Sequence, residues 1–249
     1  MDQILTSKYK KILLDLDGTV IDRNEKLDDE VLNTLRRAKN NISISFCTGR
    51  TLDFVHSLAK HIGLESNHIV DDGSRVINKF GNELWVVILP QEVINYYLDL
   101  ADKYQFNISA SVSGKQKLKI TREDKHISRL FPYNLNKKHV EILTYNIFSA
   151  DYEAKVVWYD ERTGYNVSIA HIKGNKKYGI EFLFQYEKLH QAEVVGVGDG
   201  INDLPMFESV GYSVAMGNAT ANIKALVDYV APPVEQNGII DVLKKIGAI

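Results

Sequence analysis

The chain has 249 residues, 45% hydrophobic and 25% charged, with a formal net charge of −2. That is an ordinary globular balance with room for one large domain or two small ones, and it supplies no global positive field to draw nucleic acid or anionic lipid. The single cysteine excludes an intramolecular disulfide, and the expectation for Cys47 is a small core residue.

The N-terminal MDQILTSKYKK has no signal-peptide stretch. Leu84 to Leu89 is the longest strongly apolar run, far too short to span a bilayer. A soluble cytoplasmic protein is the expectation.

Lys11 to Leu16 reads as a strand. Ile12, Leu13 and Leu14 are apolar without a break, as in parallel sheets covered on both faces. Asp28 is placed to cap a helix running to about Asn40, with Val31, Leu32, Leu35 and Ala38 at helical spacing. Asn41 to Cys47 is the second strand, Thr51 to Ile62 the second helix, and Ile69-Val70 a short third strand. This alternation predicts a Rossmann-like α/β core, a parallel sheet with helices on both faces.

The rhythm then changes. Val76-Ile77 and Leu84 to Leu89 flank the turn Lys79-Phe80-Gly81-Asn82. A helix is expected from about Glu92 to Tyr104, then strands Phe106 to Val112 and Lys117 to Thr121. Arg122 to Asn134 reads as irregular. A helix from Lys137 to Phe148 and strands Lys155 to Tyr159 and Tyr165 to Ala170 follow. Helix-strand-strand, twice over, predicts a small antiparallel sheet backed by helices.

After residue 172 the first rhythm returns. The expected elements are helix Lys176 to Leu189, strand Glu193 to Val197, a short helix at Asp203 to Glu208, strand Tyr212 to Ala215, and helices near Ala221 to Val227 and Ile239 to Ile246. The division that follows is a core from residues 1–80 and 173–249, with an α+β cap inserted at 81–172.

Chemistry-bearing residues collect at the strand ends. Asp15 and Asp17 lie two apart, so they share a face where the first strand stops. Parallel sheets bind ligands at that edge. Two adjacent acids repel unless a cation or a shared proton relieves them, and a hard cation such as magnesium suits oxygen ligands. Thr48-Gly49-Arg50 ends the second strand ahead of a helix, where a hydroxyl and free N–H groups suit phosphate oxygens.

Lys176 or its neighbour Lys177 opens the helix that follows the insertion. Gly198-Asp199-Gly200-Ile201-Asn202-Asp203 adds two acids and an amide at another strand end. Each motif alone has a bland reading as a turn, a cap or a solvated lysine. Their shared position on one sheet edge does not.

These motifs resemble the haloacid dehalogenase superfamily of phosphatases. DLDGT at 15–19 resembles its first motif, SFCTGR ending at Arg50 its second, and GDGINDLPMF from Gly198 its fourth. Lys176 in GNKKYGIEFL resembles the third, with Gly179, Ile180 and Leu183 at the matching offsets, which favours Lys176 over Lys177. The resemblance spans Lys11 to about Pro233. The insertion between the second and third motifs is similar to that of the Cof-like sugar-phosphatase subclass with a C2B-type cap.

The resemblance implies that Asp15 is the nucleophile and Asp17 the general acid and base. It implies magnesium held by the Asp15 carboxylate, the Asp17 carbonyl and Asp199, with Asp203 beside it or bound through water. Thr48, the Gly49 N–H, Lys176 and Asn202 would hold the phosphate. The implied substrate is a small phosphorylated metabolite, a sugar phosphate or a phosphoglycolate-like ester.

A phosphomutase on the same scaffold and a non-catalytic sugar-phosphate sensor are the competing readings. One departure is Asp71-Asp72-Gly73, where many Cof-like members have Asn-Gly. Asp72 is then expected at a metal-bound water or a substrate hydroxyl. Arg129, Phe131 and Tyr133 are candidates to face the leaving group. The two aromatics have a second reading, in which they pack the cap's own core.

Overall fold

The computed structural model describes residues 8–22 and 24–249, with side chains left aside at 158–160. The signal-peptide reading of the first residues lies largely outside this range. Strand β1 (Lys11–Leu14) is buried along its whole length. It pairs in parallel with β2 (Ser43–Phe46) on one side and β11 (Val194–Gly198) on the other. Beyond β11 lie β12 (Tyr212–Ala215) and β13 (Tyr229–Val230), completing a five-stranded parallel sheet.

The period-2 geometry of β1 sends its side chains to two different cores. Ile12 and Leu14 pack with Val31 and Leu35 of α1 (Asp29–Ala38), Val55 of α2 (Leu52–Ile62) and Val242 of α8 (Gly238–Lys245). Leu13 points the other way, with Ile180 and Leu183 of α5 (Lys176–Glu187) and Met206 of α6 (Leu204–Ser209). The unbroken apolar run of β1 is thus the signature of a strand covered twice.

Asp28 caps α1 as expected, accepting from the Glu30 N–H at 2.8 Å. Acids in the first turn and arginines in the last complement the helix dipole.

His68, on β3 (His68–Val70), is fully buried and stacks on Phe46. Its Nδ1 accepts the Phe46 N–H at 3.1 Å, so the ring proton sits on Nε2. Burial, aided by Lys11 and His56, pushes its pKa down to about 3. The stability this neutral ring contributes is complete above the ordinary value of 6.5 and is lost as pH falls toward the folded value. Between pH 7 and pH 5 the loss from this group is expected to be about 2 kcal/mol. In His68→Asn, whose amide oxygen can replace Nδ1 as acceptor, that part of the pH dependence should vanish from urea midpoints. An identical slope in both proteins would refute it.

Strand β3 continues into a hairpin with β4 (Arg75–Ile77) and β5 (Glu83–Val86). The inserted antiparallel sheet follows, in the order β7-β6-β8-β10-β9. It comprises β6 (Asn107–Val112), β7 (Lys115–Lys117), β8 (Ile127–Tyr133), β9 (Tyr152–Asp160) and β10 (Gly164–His171). Helices α3 (Gln91–Tyr104) and α4 (Lys137–Tyr145) cover one face, burying Ile108, Ala110, Leu130 and Ile169 against Val93, Tyr97 and Leu143. The other face carries Ser109, Ser111, Arg129 and Phe131, with Ser109 opposite Phe131 and Ser111 opposite Arg129.

Two sequence expectations fail here. The stretch Arg122 to Asn134 is not irregular, because it contains β8 at the centre of the cap sheet. Pro132 disguised it, since proline is normally confined to strand edges and bulges. Strand β8 pairs with β10 only at Leu130↔Ile169, and Pro132 lies just beyond that point. The strand that follows β6 and pairs with it is Lys115–Lys117, not Lys117 to Thr121. Ser113 and Gly114 both have positive φ, the two-residue turn that starts the return strand at once.

Smaller differences are at element ends. Helix α4 stops at Tyr145 rather than Phe148, and α7 spans only Ala221–Lys224. Among the described residues, no helix is long and apolar enough to cross a membrane.

Candidate active site

Asp15 follows β1, its N–H bonded to the Val197 carbonyl at 2.9 Å and its side chain buried. Lys176, at the start of α5, is fully buried and reaches across to it. Its Nζ lies 2.7 Å from Asp15 Oδ1 and 2.6 Å from Asp203 Oδ1. Lys177 is exposed. The other oxygen of Asp203 accepts the N–H groups of Asp199 and Gly200, both at 2.9 Å, which fixes the loop after β11. Asp15, Asp199 and Asp203 each bring one carboxylate oxygen within 4.8 Å of the others.

Gly18 has φ +77, and a Cβ there would run into the Asp199 carboxylate. The glycine therefore lets the first and fourth motifs close on each other.

Three carboxylates and one ammonium leave this pocket with excess negative charge. Burial pushes the Asp15 carboxyl well up, with Asp203 and Asp199 adding to it and Lys176 opposing. Burial, then Asp203, pushes Asp199 up to about 6. Burial alone would lower the Lys176 ammonium, but Asp15 and Asp203 outweigh it and hold it well above its usual range. Crowded oxygen donors of this kind are the donor set a hard divalent cation takes, and such a cation would relieve the repulsion. The residues present fit magnesium.

Asp17 is placed differently. Its carboxylate is outside the group of three and accepts from Arg50 Nη2 at 2.6 Å and Nε at 3.0 Å. Arg50 also binds Glu25 at 2.6 Å and lies over the Phe54 ring. Thr48 is fully buried, its N–H bonded to Ile69 O and its hydroxyl accepting the Arg50 N–H at 3.2 Å. Gly49 is exposed.

Asp71, Asp72 and Gly73 all have positive φ. A Cβ on Gly73 would strike the backbone of Asn175 and Lys176, so this loop presses on the start of α5. Asp72 Oδ1 accepts from Asn202 Nδ2 at 3.2 Å, and its Oδ2 pairs with Arg129 Nη1 at 3.3 Å. Asp72 therefore ties the fourth-motif loop to the cap.

Arg129 does not face a leaving group. It is buried at the cap–core junction, donating to Ser168 Oγ at 2.7 Å, Ser74 Oγ at 3.2 Å and the Gly174 carbonyl. Phe131 and Tyr133 are half-buried and line the cleft between cap and α2, rather than the apolar core of the cap. Cys47 is buried, and burial pushes its thiol up, as befits a packing residue.

Sequence reasoning missed two contributors. Asn218 donates to Asp199 Oδ2 at 2.7 Å and to the Gly18 carbonyl at 2.9 Å, while its own carbonyl accepts the Val234 N–H. Its signal was its place just beyond the end of β12. Asp71 is fully buried and accepts from Arg75 Nε at 3.0 Å and from the cap hydroxyls Ser111 and Ser128, each at 2.8 Å. Nothing local in the sequence marked that second cap–core clasp.

A parallel sheet carrying clustered acids, a buried lysine and a threonine at one edge, under an inserted lid, defines a phosphoryl-transfer type of site. The family model for haloacid dehalogenase-like hydrolases matches residues 12–158 and 111–243. The chain belongs to that family and is a phosphatase within it.

Among curated relatives, phosphoglycolate phosphatase of Archaeoglobus fulgidus is 24% identical, over 97% of this chain and 99% of its own. The 5-amino-6-(5-phospho-D-ribitylamino)uracil phosphatase of Bacillus subtilis is 27% identical over 94% of each chain. A solved phosphatase of the same superfamily from Bacteroides thetaiotaomicron has a TM-score of 0.82 at 20% identity, covering 100% of this chain and 98% of its own. A subclass IIB sugar phosphatase has a TM-score of 0.81 at 19% identity, covering 96% of this chain and 100% of its own.

Proposed function

We propose that this protein is a magnesium-dependent phosphatase that hydrolyses a small phosphorylated metabolite through an aspartyl-phosphate. In this reading residues 1–80 and 173–249 form the catalytic unit and residues 81–172 the cap. The observation that carries it is the buried Lys176 bridging Asp15 and Asp203 beside Asp199. A sensor that only binds a sugar phosphate needs neither a nucleophile nor this clustering of acids. The relatives named for phosphoglycolate and for a phosphorylated ribityl compound supply two kinds of small monoester as candidate substrates.

Asp15 Oδ attacks phosphorus, and the bond from phosphorus to the leaving oxygen breaks. Asp17 gives that oxygen a proton. Asp17 then takes a proton from water, whose oxygen attacks phosphorus and frees Asp15. Lys176 orients the Asp15 carboxylate and offsets phosphate charge, while Thr48, the Gly49 N–H and Asn202 position the phosphate oxygens. The Asp15 and Asp199 carboxylates and the Asp17 carbonyl, with Asp203 alongside, would hold magnesium, which would supply charge neutralisation. The cap excludes water and selects the leaving group.

Phosphate release from an aryl phosphate, measured after chelation and again with magnesium added back, tests the reading. Activity should disappear and return, and calcium should inhibit, because its looser shell misplaces the nucleophile. Asp199→Ala should raise the magnesium needed for half-activity by at least about tenfold. Asn218→Ala, which frees Asp199 from its partner, should do so by about tenfold. Full turnover in excess chelator would sink the metal assignment.

A further inference from the structure

Between the cap sheet and α2 lies a cavity of about 870 Å³. It opens at Gly49 and Arg50, beside Asp17, and runs along α2 past Phe54 and Leu58 to His61. From Asp53 to His61 along α2 that is roughly 12 Å at the rise of a helix, longer than a two-carbon ester needs. Phe131, Tyr133, Leu118 and Val157 form the cap wall. Leu118, just past the end of β7, is 68% exposed and Val157, on β9, is 53% exposed, so apolar side chains line the open side of the cleft. Ser109, Gln116 and Asn166 add hydroxyl and amide groups between them.

The charges decide which leaving group fits. Arg50 is the only lysine or arginine among the described residues lining the cavity, and both Asp17 and Glu25 already hold it. Asp53 adds another acid to the wall. The cap's inward arginine, Arg129, is buried and committed to Asp72. A second anionic group on the substrate would meet Asp53 and an arginine already paired with two carboxylates, with His61 the one other basic side chain among the described lining residues.

We propose that the cavity takes an uncharged leaving group, hydroxylated near the phosphate and ending in a planar ring, and disfavours compact anionic esters such as phosphoglycolate. This rests on the phosphatase reading above and narrows its substrate class. Hydroxyls next to the phosphate meet the serine and amide groups, and the ring lies against Phe131, Tyr133 and Leu118.

The test uses the full chain with magnesium and three esters. These are flavin mononucleotide (a polyol phosphate bearing a planar ring), glucose 6-phosphate and phosphoglycolate, with an aryl phosphate as activity control. The kcat/KM should rank in that order, with at least about tenfold between the first and the last. Phe131→Ala and Leu118→Ala should lower kcat/KM for flavin mononucleotide about tenfold more than for phosphoglycolate. Leu118 is exposed, so its variant keeps the test open if Phe131→Ala does not fold.

An active enzyme that turns over phosphoglycolate as well as or better than flavin mononucleotide would overturn the cavity assignment and leave the phosphatase reading standing. So would variants that slow both esters equally. Failure on all four esters with magnesium present would remove both.

Discussion

Asp15→Asn should abolish turnover, with a loss of at least about 10⁴-fold in kcat, the scale seen when a covalent nucleophile is removed. An amide oxygen is a poor nucleophile, and the substitution also removes one of the three charges of the acid cluster. The fold should survive. Asp15 is buried, but asparagine is nearly isosteric, and Lys176 keeps its 2.6 Å bond to Asp203. The measurement is single-turnover phosphate release, with rapid-quench mass spectrometry for phosphate on residue 15. Near-normal turnover by the mutant, with deamidation excluded by mass, would rule out Asp15 as the nucleophile.

Asp17→Asn should give a different kind of loss. The backbone carbonyl and side-chain shape are kept, and the amide oxygen can still accept from Arg50. What disappears is the group that gives and takes a proton. General acid–base contributions are typically about 10²–10⁴-fold, so kcat should fall by that amount with an alkyl phosphate. An aryl phosphate needs little leaving-group protonation. With it the first step should be largely spared and the second slowed, so phosphate should accumulate on Asp15. Equal losses with both substrates and no trapped intermediate would take the acid–base role away from Asp17.

Arg50 bears on that experiment, because it holds the Asp17 carboxylate by two hydrogen bonds and itself lines the cavity. The two acids of the first motif are two residues apart in sequence yet face different surroundings. Asp15 is enclosed with Lys176, whereas the Asp17 carboxylate is half exposed and paired with Arg50. In the proposed mechanism that difference in surroundings separates the nucleophile from the proton donor.

Much of this was readable in the chain itself. The run Ile12-Leu13-Leu14 announced a strand covered on both faces, and one side packs on α1 and α8 while the other packs on α5 and α6. Strand ends carrying Asp15, Thr48 and Asp199 marked the ligand edge, because in parallel sheets that edge is fixed by chain direction. Resemblance to the third family motif favoured Lys176 over Lys177, and the two prove to be buried and exposed respectively.

The tertiary structure decided the rest. Strand β8 was hidden because Pro132 and Arg129 break the local pattern of a strand, and only pairing with β6 and β10 makes one of it. Asp72 had been expected at a water or a hydroxyl; its partners, Asn202 and Arg129, come from segments 130 and 57 residues away. Asn218 and Asp71 likewise acquire their roles only from groups that packing brings to them. Hydrophobic period and turn chemistry are local and can be read in a window of residues. Buried polar pairs and the walls of a cavity depend on contacts between distant segments, and a single sequence does not state which segments will meet.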